Sequence, residues 1–100
     1  MKGEKEMLVE KKIRKAVKRL NYTHLKGEYG KEANAYINWI SVSEDLGTTI
    51  ELHIGTENKN LIDSVRFFVD DALLANFSIK ELAAFMLAHI LMTEDKQEEK

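Results

Sequence analysis

The chain has neither cysteine nor proline, a single tryptophan and only five glycines in its 100 residues. Without cysteine there can be no disulfide, no thiolate metal site and no cysteine nucleophile. Without proline no rigid linker or proline-marked boundary divides the chain, so its length argues for one domain, over residues 1–93, followed by a polar tail over 94–100. No leader-type apolar segment stands at the N-terminus, from which a cytoplasmic protein is expected. Charge of one sign is lacking as well: the formal net charge is −2, which singles out neither a polyanion nor a membrane as partner. No stretch of apolar residues reaches the ~20 needed to cross a bilayer.

What the chain does contain is 44% hydrophobic and 32% charged residues, the balance of a globular domain with one core. A core of that size is thin, and oligomerisation is a natural source of further burial. The charges are unevenly spread. Residues 1–50 hold ten Lys and Arg against seven Asp and Glu, and residues 51–100 hold five against ten.

The most informative segment is Ser78 to Thr93. Every residue from Leu82 to Met92 is apolar except His89, which demands a buried helix. Ser78 and Glu81 have the spacing of a capping box, and Phe77 can staple onto Leu82, so the helix start is sharply specified. About fifteen residues at 1.5 Å each fall short of a membrane span.

Nearer the N-terminus, Val9, Ile13, Ala16, Val17 and Leu20 form one helical stripe between Glu4 and Leu20. Glu4, Glu6 and Glu10 come early and the cations late, as the helix dipole favours. Residues 21–34 read as a loop with a short strand at Tyr22 to Lys26. Tyr36 to Ser43 and Thr48 to Ile54 read as a hairpin turning at Glu44 to Gly47. Pairing Ser43 with Thr48 sets Trp39 opposite Leu52 and Ile37 opposite Ile54, and leaves Ile40 and Val42 on the other face beside Glu51 and His53; a slip of one residue reverses every assignment. Asn58 or Asn60 is then expected to cap a helix with a core stripe of Leu61, Val65, Phe68, Val69, Ala72 and Leu73, and with Phe67 and Leu74 outside it. Asp63, Arg66 and Asp70 would form exposed ion pairs on that helix. The expected architecture is α+β: an N-terminal amphipathic helix, an antiparallel β-hairpin or three-stranded meander, then two C-terminal helices packed on the sheet, the last one buried.

Chemistry-bearing motifs are few. Gly27, Gly30 and Lys31 fail the phosphate-loop pattern in spacing and in the residue after the lysine. Glu51 and His53 share a strand face and make a surface pair, with no third group to complete a metal or proton-transfer site. No catalytic residue, cofactor site, metal site or small-molecule substrate is expected. His89, if desolvated, would have a lowered pKa and make an interface pH-sensitive.

Two non-catalytic readings remain. In the first, surplus apolar surface at Ile40, Val42, Phe67, Leu74, Ala84 and Ala88 binds a second copy of the chain and another protein, in the manner of a regulator, adaptor or inhibitor of phage or mobile-element type. In the second, the basic face of the first helix (Lys11, Lys12, Arg14, Lys15, Lys18 and Arg19) joins an aromatic and cationic loop (Tyr22, Lys26, Tyr29 and Lys31) to bind nucleic acid.

Overall fold

A computed structural model of the chain describes residues 3–21, 34–55 and 61–98, the side chains of 61, 62 and 93–98 excepted. The expected strand at Tyr22 to Lys26, the loop residues Tyr29 and Lys31, and the caps Asn58 and Asn60 lie outside the described residues. The elements run α1 (Glu4–Leu20), β1 (Asn34–Val42), β2 (Gly47–Gly55), β3 (Leu61–Asp70), α2 (Asp71–Asn76) and α3 (Ile79–Glu98). The strands form one antiparallel sheet in the order β1-β2-β3. The α+β layout of helix, three-stranded meander and two helices is the expected one. Among the described residues no helix is long and apolar enough to cross a membrane.

The apolar stripe of α1 packs inward as its spacing requires: Ile13, Ala16, Val17 and Leu20 are buried and Val9 joins them at the margin. This helix lies against α3 and β1. Its cations are not all solvent groups. Lys5 Nζ donates to the carbonyls of Ser43 and Glu44 and pairs with the Asp71 carboxylate at 2.9 Å, tying α1 to the hairpin turn and to α2. Lys12 Nζ donates to the carbonyl of Leu74 in α2, a group the helix itself leaves unpaired near its C-terminal end. At the other end of α1, the Asn21 carboxamide both donates to the Ala35 carbonyl (3.0 Å) and accepts from the Ala35 amide (2.6 Å), serving the edge strand as a short peptide group would.

The hairpin pairs one residue away from the expected register. Val42 stands opposite Thr48, Ile40 opposite Ile50 and Trp39 opposite Glu51. Between Ile37 and Trp39 the register shifts, and Ile37 then faces Leu52 and Ala35 faces Ile54. The physical reason is in the spacing of β1. Its apolar residues stand at 35, 37, 40 and 42, and a single bulge at Asn38 brings all four to one face of the sheet. Ile40 and Val42 therefore lie on the inward face, where Ile40 packs against the core, and Trp39 turns outward.

Over residues 61–70 the expected helix is a strand. Asp63, Val65, Phe67 and Val69 alternate inward while Ser64, Arg66, Phe68 and Asp70 alternate outward. Phe67 and Leu74 are core residues, not a partner surface. Nor do Asp63, Arg66 and Asp70 share a helix face: Asp63 is buried, Arg66 pairs with Glu51, and Asp70 caps α2 by accepting from the Leu73 amide at 2.8 Å. The final helix begins as the sequence specifies. Glu81 N donates to Ser78 Oγ at 3.1 Å and Ser78 N donates back to Glu81 Oε1 at 2.9 Å. Phe77 lays its ring near Phe85, 5.3 Å between centroids. Leu82, Ala83, Met86 and Ile90 are fully buried, and the helix continues beyond Thr93 to Glu98.

The helices α1 and α3 cover one face of the sheet, leaving Ile50, Leu52, Ile54, Val65, Phe67 and Val69 sealed beneath them. Thr48 Oγ1 is buried there with no hydrogen-bond partner among the described residues. An unpaired buried hydroxyl costs about 1–3 kcal/mol, so Thr48→Val is expected to raise stability by about 1 kcal/mol in chemical denaturation with an unchanged m-value.

Candidate functional site

The other face of the sheet is open among the described residues, and the register arranges its side chains as three rows across the strands. Tyr36, His53 and Ser64 form the first row, Trp39, Glu51 and Arg66 the second, and Ser41, Thr49 and Phe68 the third. Tyr36, Trp39 and Phe68 are 46%, 44% and 51% exposed, a degree at which large aromatics are held out to solvent instead of packed.

The middle row is the structured part. Glu51 Oε1 accepts from Arg66 Nη2 at 2.9 Å and Nε at 3.2 Å, and Glu51 Oε2 accepts from the Asn38 amide. His53 Nε2 lies 3.5 Å from the same carboxylate. The bulge supplies the Asn38 donor, since the extra residue is free of ladder pairing and can aim at the neighbouring strand. The Asn38 amide first, then the Arg66 guanidinium, hold the Glu51 carboxyl below the usual carboxylate range. Arg66 also places its guanidinium 5.2 Å from the centre of the Trp39 ring, so one cation bridges from β3 across β2 to β1. The indole is thereby fastened to the sheet before any partner arrives.

Phe68 is fixed differently. A Cβ on Gly47 would lie 2.6 Å from the Phe68 ring and 2.3 Å from the Val69 carbonyl oxygen, so the ring can settle over the hairpin end only because residue 47 has no side chain.

The residues singled out from sequence fall into separate groups. Ile40, Val42, Phe67 and Leu74 belong to the inward side and form no surface. Ala84 and Ala88 are exposed on α3, in company with Met92. Of the basic residues, Lys12 is engaged by α2, whereas Lys11, Arg14, Lys15, Lys18 and Arg19 are exposed. Of those cations, Arg14 and Lys18 line a cavity together with Asn21, Ala35 and Tyr36, at the β1 edge of the open face. The loop residues Tyr22, Lys26, Tyr29 and Lys31 lie outside the described residues. Arg66 is exposed as the sequence suggests, though on a strand and paired with Glu51, whereas Trp39 and Phe68 depart from expectation because a register one residue off sends Trp39 inward and a helical reading sends Phe68 inward. The sequence signal for Trp39 is the three-residue gap between Ile37 and Ile40.

Among the described residues no group of three or more His, Asp or Glu could hold a metal ion. His89 stacks on Phe67 with centroids 4.8 Å apart and planes 11° from parallel, and meets Phe85 edge-on at 4.6 Å. Burial pushes its pKa below the ordinary value. The unfolded chain then takes up a proton that the folded chain resists, so stability contributed by neutral His89 is complete above about pH 6.5 and declines as pH falls below it. Glu51 and Glu81, both held low, add a second loss below pH 4.5, Glu81 because the Ser78 amide and hydroxyl donate to it. Thermal unfolding from pH 8 to 3 is expected to show these two successive declines, with His89→Phe removing the upper one.

Comparison of the chain with known protein families, curated proteins and solved structures finds no significant match. Function is therefore read from these side chains alone.

Proposed function

We propose that this is a non-catalytic protein-interaction module of the cytoplasm, homodimeric and of the regulator, adaptor or inhibitor type, whose contact surface is the open face of the sheet. The observation that carries the reading is the set Tyr36, Trp39 and Phe68 standing exposed around the Arg66–Glu51 pair. Aromatics and arginine are the residues that dominate protein interfaces, and an anchor already held in place loses less side-chain entropy on binding. A catalytic use of the face is disfavoured: Glu51 is occupied by donors and held ionised, which makes it a poor proton acceptor near neutral pH.

Nucleic acid is the second reading, favoured by the exposed Lys11, Arg14, Lys15, Lys18 and Arg19 on α1. Stacking platforms for single strands work together with a cationic track; here Arg14 and Lys18 line one cavity with Tyr36 at the β1 edge, whereas Trp39 and Phe68 stand in the other two rows of the sheet face. Trp39→Ser with Phe68→Ser is expected to abolish association measured by light scattering, while Lys11→Glu, Lys15→Glu and Lys18→Glu together leave it intact. The reverse pattern, accompanied by salt-sensitive binding of a single-stranded oligonucleotide, would replace the first reading with the second.

A further inference from the structure

The open face is a three-by-three grid, and its arrangement restricts what can cover it. Large groups occupy Tyr36 and Trp39 on β1 and Phe68 on β3, while small ones occupy Ser41 on β1 and Ser64 on β3. A two-fold axis running along β2, parallel to the strands, lays β1 of one copy over β3 of another and keeps each row over itself. Tyr36 then meets Ser64, Phe68 meets Ser41, and Trp39 meets Arg66. Tyr36, Phe68 and Trp39 each face a serine or a guanidinium, the same chemistry that Arg66 and Trp39 already show within one chain, while His53 and Thr49, on the axis, meet their own counterparts. The other in-plane two-fold, across the strands, also sets rings over serines, but it brings Arg66 onto Arg66 and is opposed by like-charge repulsion. Glu51 lies on either axis. Its charge is answered within its own sheet by Arg66 and its side chain is only 16% exposed, so it adds little repulsion across the interface.

We infer, resting on the reading of the open face as a protein-binding surface, that its occupant is a second copy of this chain, packed face to face with the strands of the two sheets running in the same sense and β1 over β3. Two sheets stacked at ~10 Å, rotated by about −30° through their own twist, bury such rows in the manner of a β-sandwich core. The contact is isologous and closes at two copies, and it supplies the additional buried apolar area that a core of this size gains from dimerisation.

The rows make the arrangement testable by a size swap. Ser41→Phe alone sets two phenylalanines against each other and Phe68→Ser alone leaves a gap, so each is expected to raise the dimer dissociation constant roughly tenfold or more. Together they restore a phenylalanine over a serine, and the double variant is expected to recover most of the affinity by sedimentation equilibrium. Circular dichroism verifies folding of each variant, and Ser41→Glu, which sets an unpaired carboxylate against Phe68, replaces the Phe68 variant if that one unfolds. A dimer in which the double variant is no better than the singles would overturn the β1-over-β3 arrangement. A monomer at all concentrations would overturn self-pairing, and with it the homodimeric part of the proposed function, while leaving the open face to a different protein. A dimer indifferent to all these changes would overturn both this inference and the surface on which it rests.

Discussion

Phe67→Ala is expected to cost about 3–5 kcal/mol, whereas Phe68→Ala, one residue on, should cost less than about 1 kcal/mol and weaken association roughly tenfold or more instead. The contrast follows from a strand at 61–70, where neighbours project to opposite faces. Phe67 is 6% exposed, stacks on His89 and meets Phe85, so truncation opens a cavity between β3 and α3 that the close-packed surroundings fill only in part. A domain of this size holds about 5–15 kcal/mol in all, and a loss of several shifts Tm by on the order of 20 °C. Among the described residues Phe68 has no such neighbours above it; its loss uncovers Gly47 and removes one ring from the open face. A helix over these residues would reverse the two outcomes, with Phe68 essential and Phe67 dispensable. Thermal unfolding of both variants, alongside their solution masses, decides between the two.

The second large effect lies in α3. Ile90→Asp is expected to unfold the chain, and Ala88→Asp, half a turn away, to leave it folded. Ile90 is fully buried beneath the sheet and would carry an unpaired carboxylate into an apolar surrounding, at a cost exceeding about 5 kcal/mol unless the helix detaches. Ala88 is exposed and its charge remains in water. Leu87 is intermediate, and Leu87→Asp should fall between the two instead of abolishing the fold as a helix apolar on all sides would suggest. Far-ultraviolet circular dichroism of the three variants distinguishes a helix with one buried face from one buried all round. If Ala88→Asp proved as damaging as Ile90→Asp, α3 would be covered on a side the structure leaves open.

How far the sequence discloses this architecture varies from element to element, for identifiable reasons. α1 and the start of α3 are written in local signals: a 3.6-residue stripe ending at Leu20 in one case, a reciprocal Ser78 and Glu81 cap in the other. Those signals require no knowledge of the rest of the chain. β3 is different because Val65 and Val69 satisfy a helical spacing and a strand alternation at once. The decision comes from pairing with β2, a tertiary contact to residues some 15 positions away, and from the preference of Val, Phe and Ile for a pleated surface. Once β3 is a strand, Asp70 becomes the cap of α2 and Leu74 turns into the core, so one ambiguity propagates through ten residues.

The hairpin register departs from the sequence expectation for a narrower reason. A uniform ladder from Ser43 and Thr48 cannot bury 35, 37, 40 and 42 together, and only a bulge at Asn38 can. The candidate site inherits both errors, since Trp39 depends on the register and Phe68 on the nature of β3. Glu51 and His53 were legible as a shared strand face, and the structure brings them together at 3.5 Å. Their partners Asn38 and Arg66 come from two other strands and carry no local signature.

Trp39 is the chain's single tryptophan and stands in the middle row of the proposed contact face, which makes its fluorescence the most direct measurement. Acrylamide quenching should be followed over a protein concentration series in which light scattering records the mass. Quenching that is efficient in dilute monomer and falls as the mass doubles, with an accompanying blue shift of emission, is the expected result. A doubled mass with Trp39 as accessible as before would contradict the open face as the contact surface.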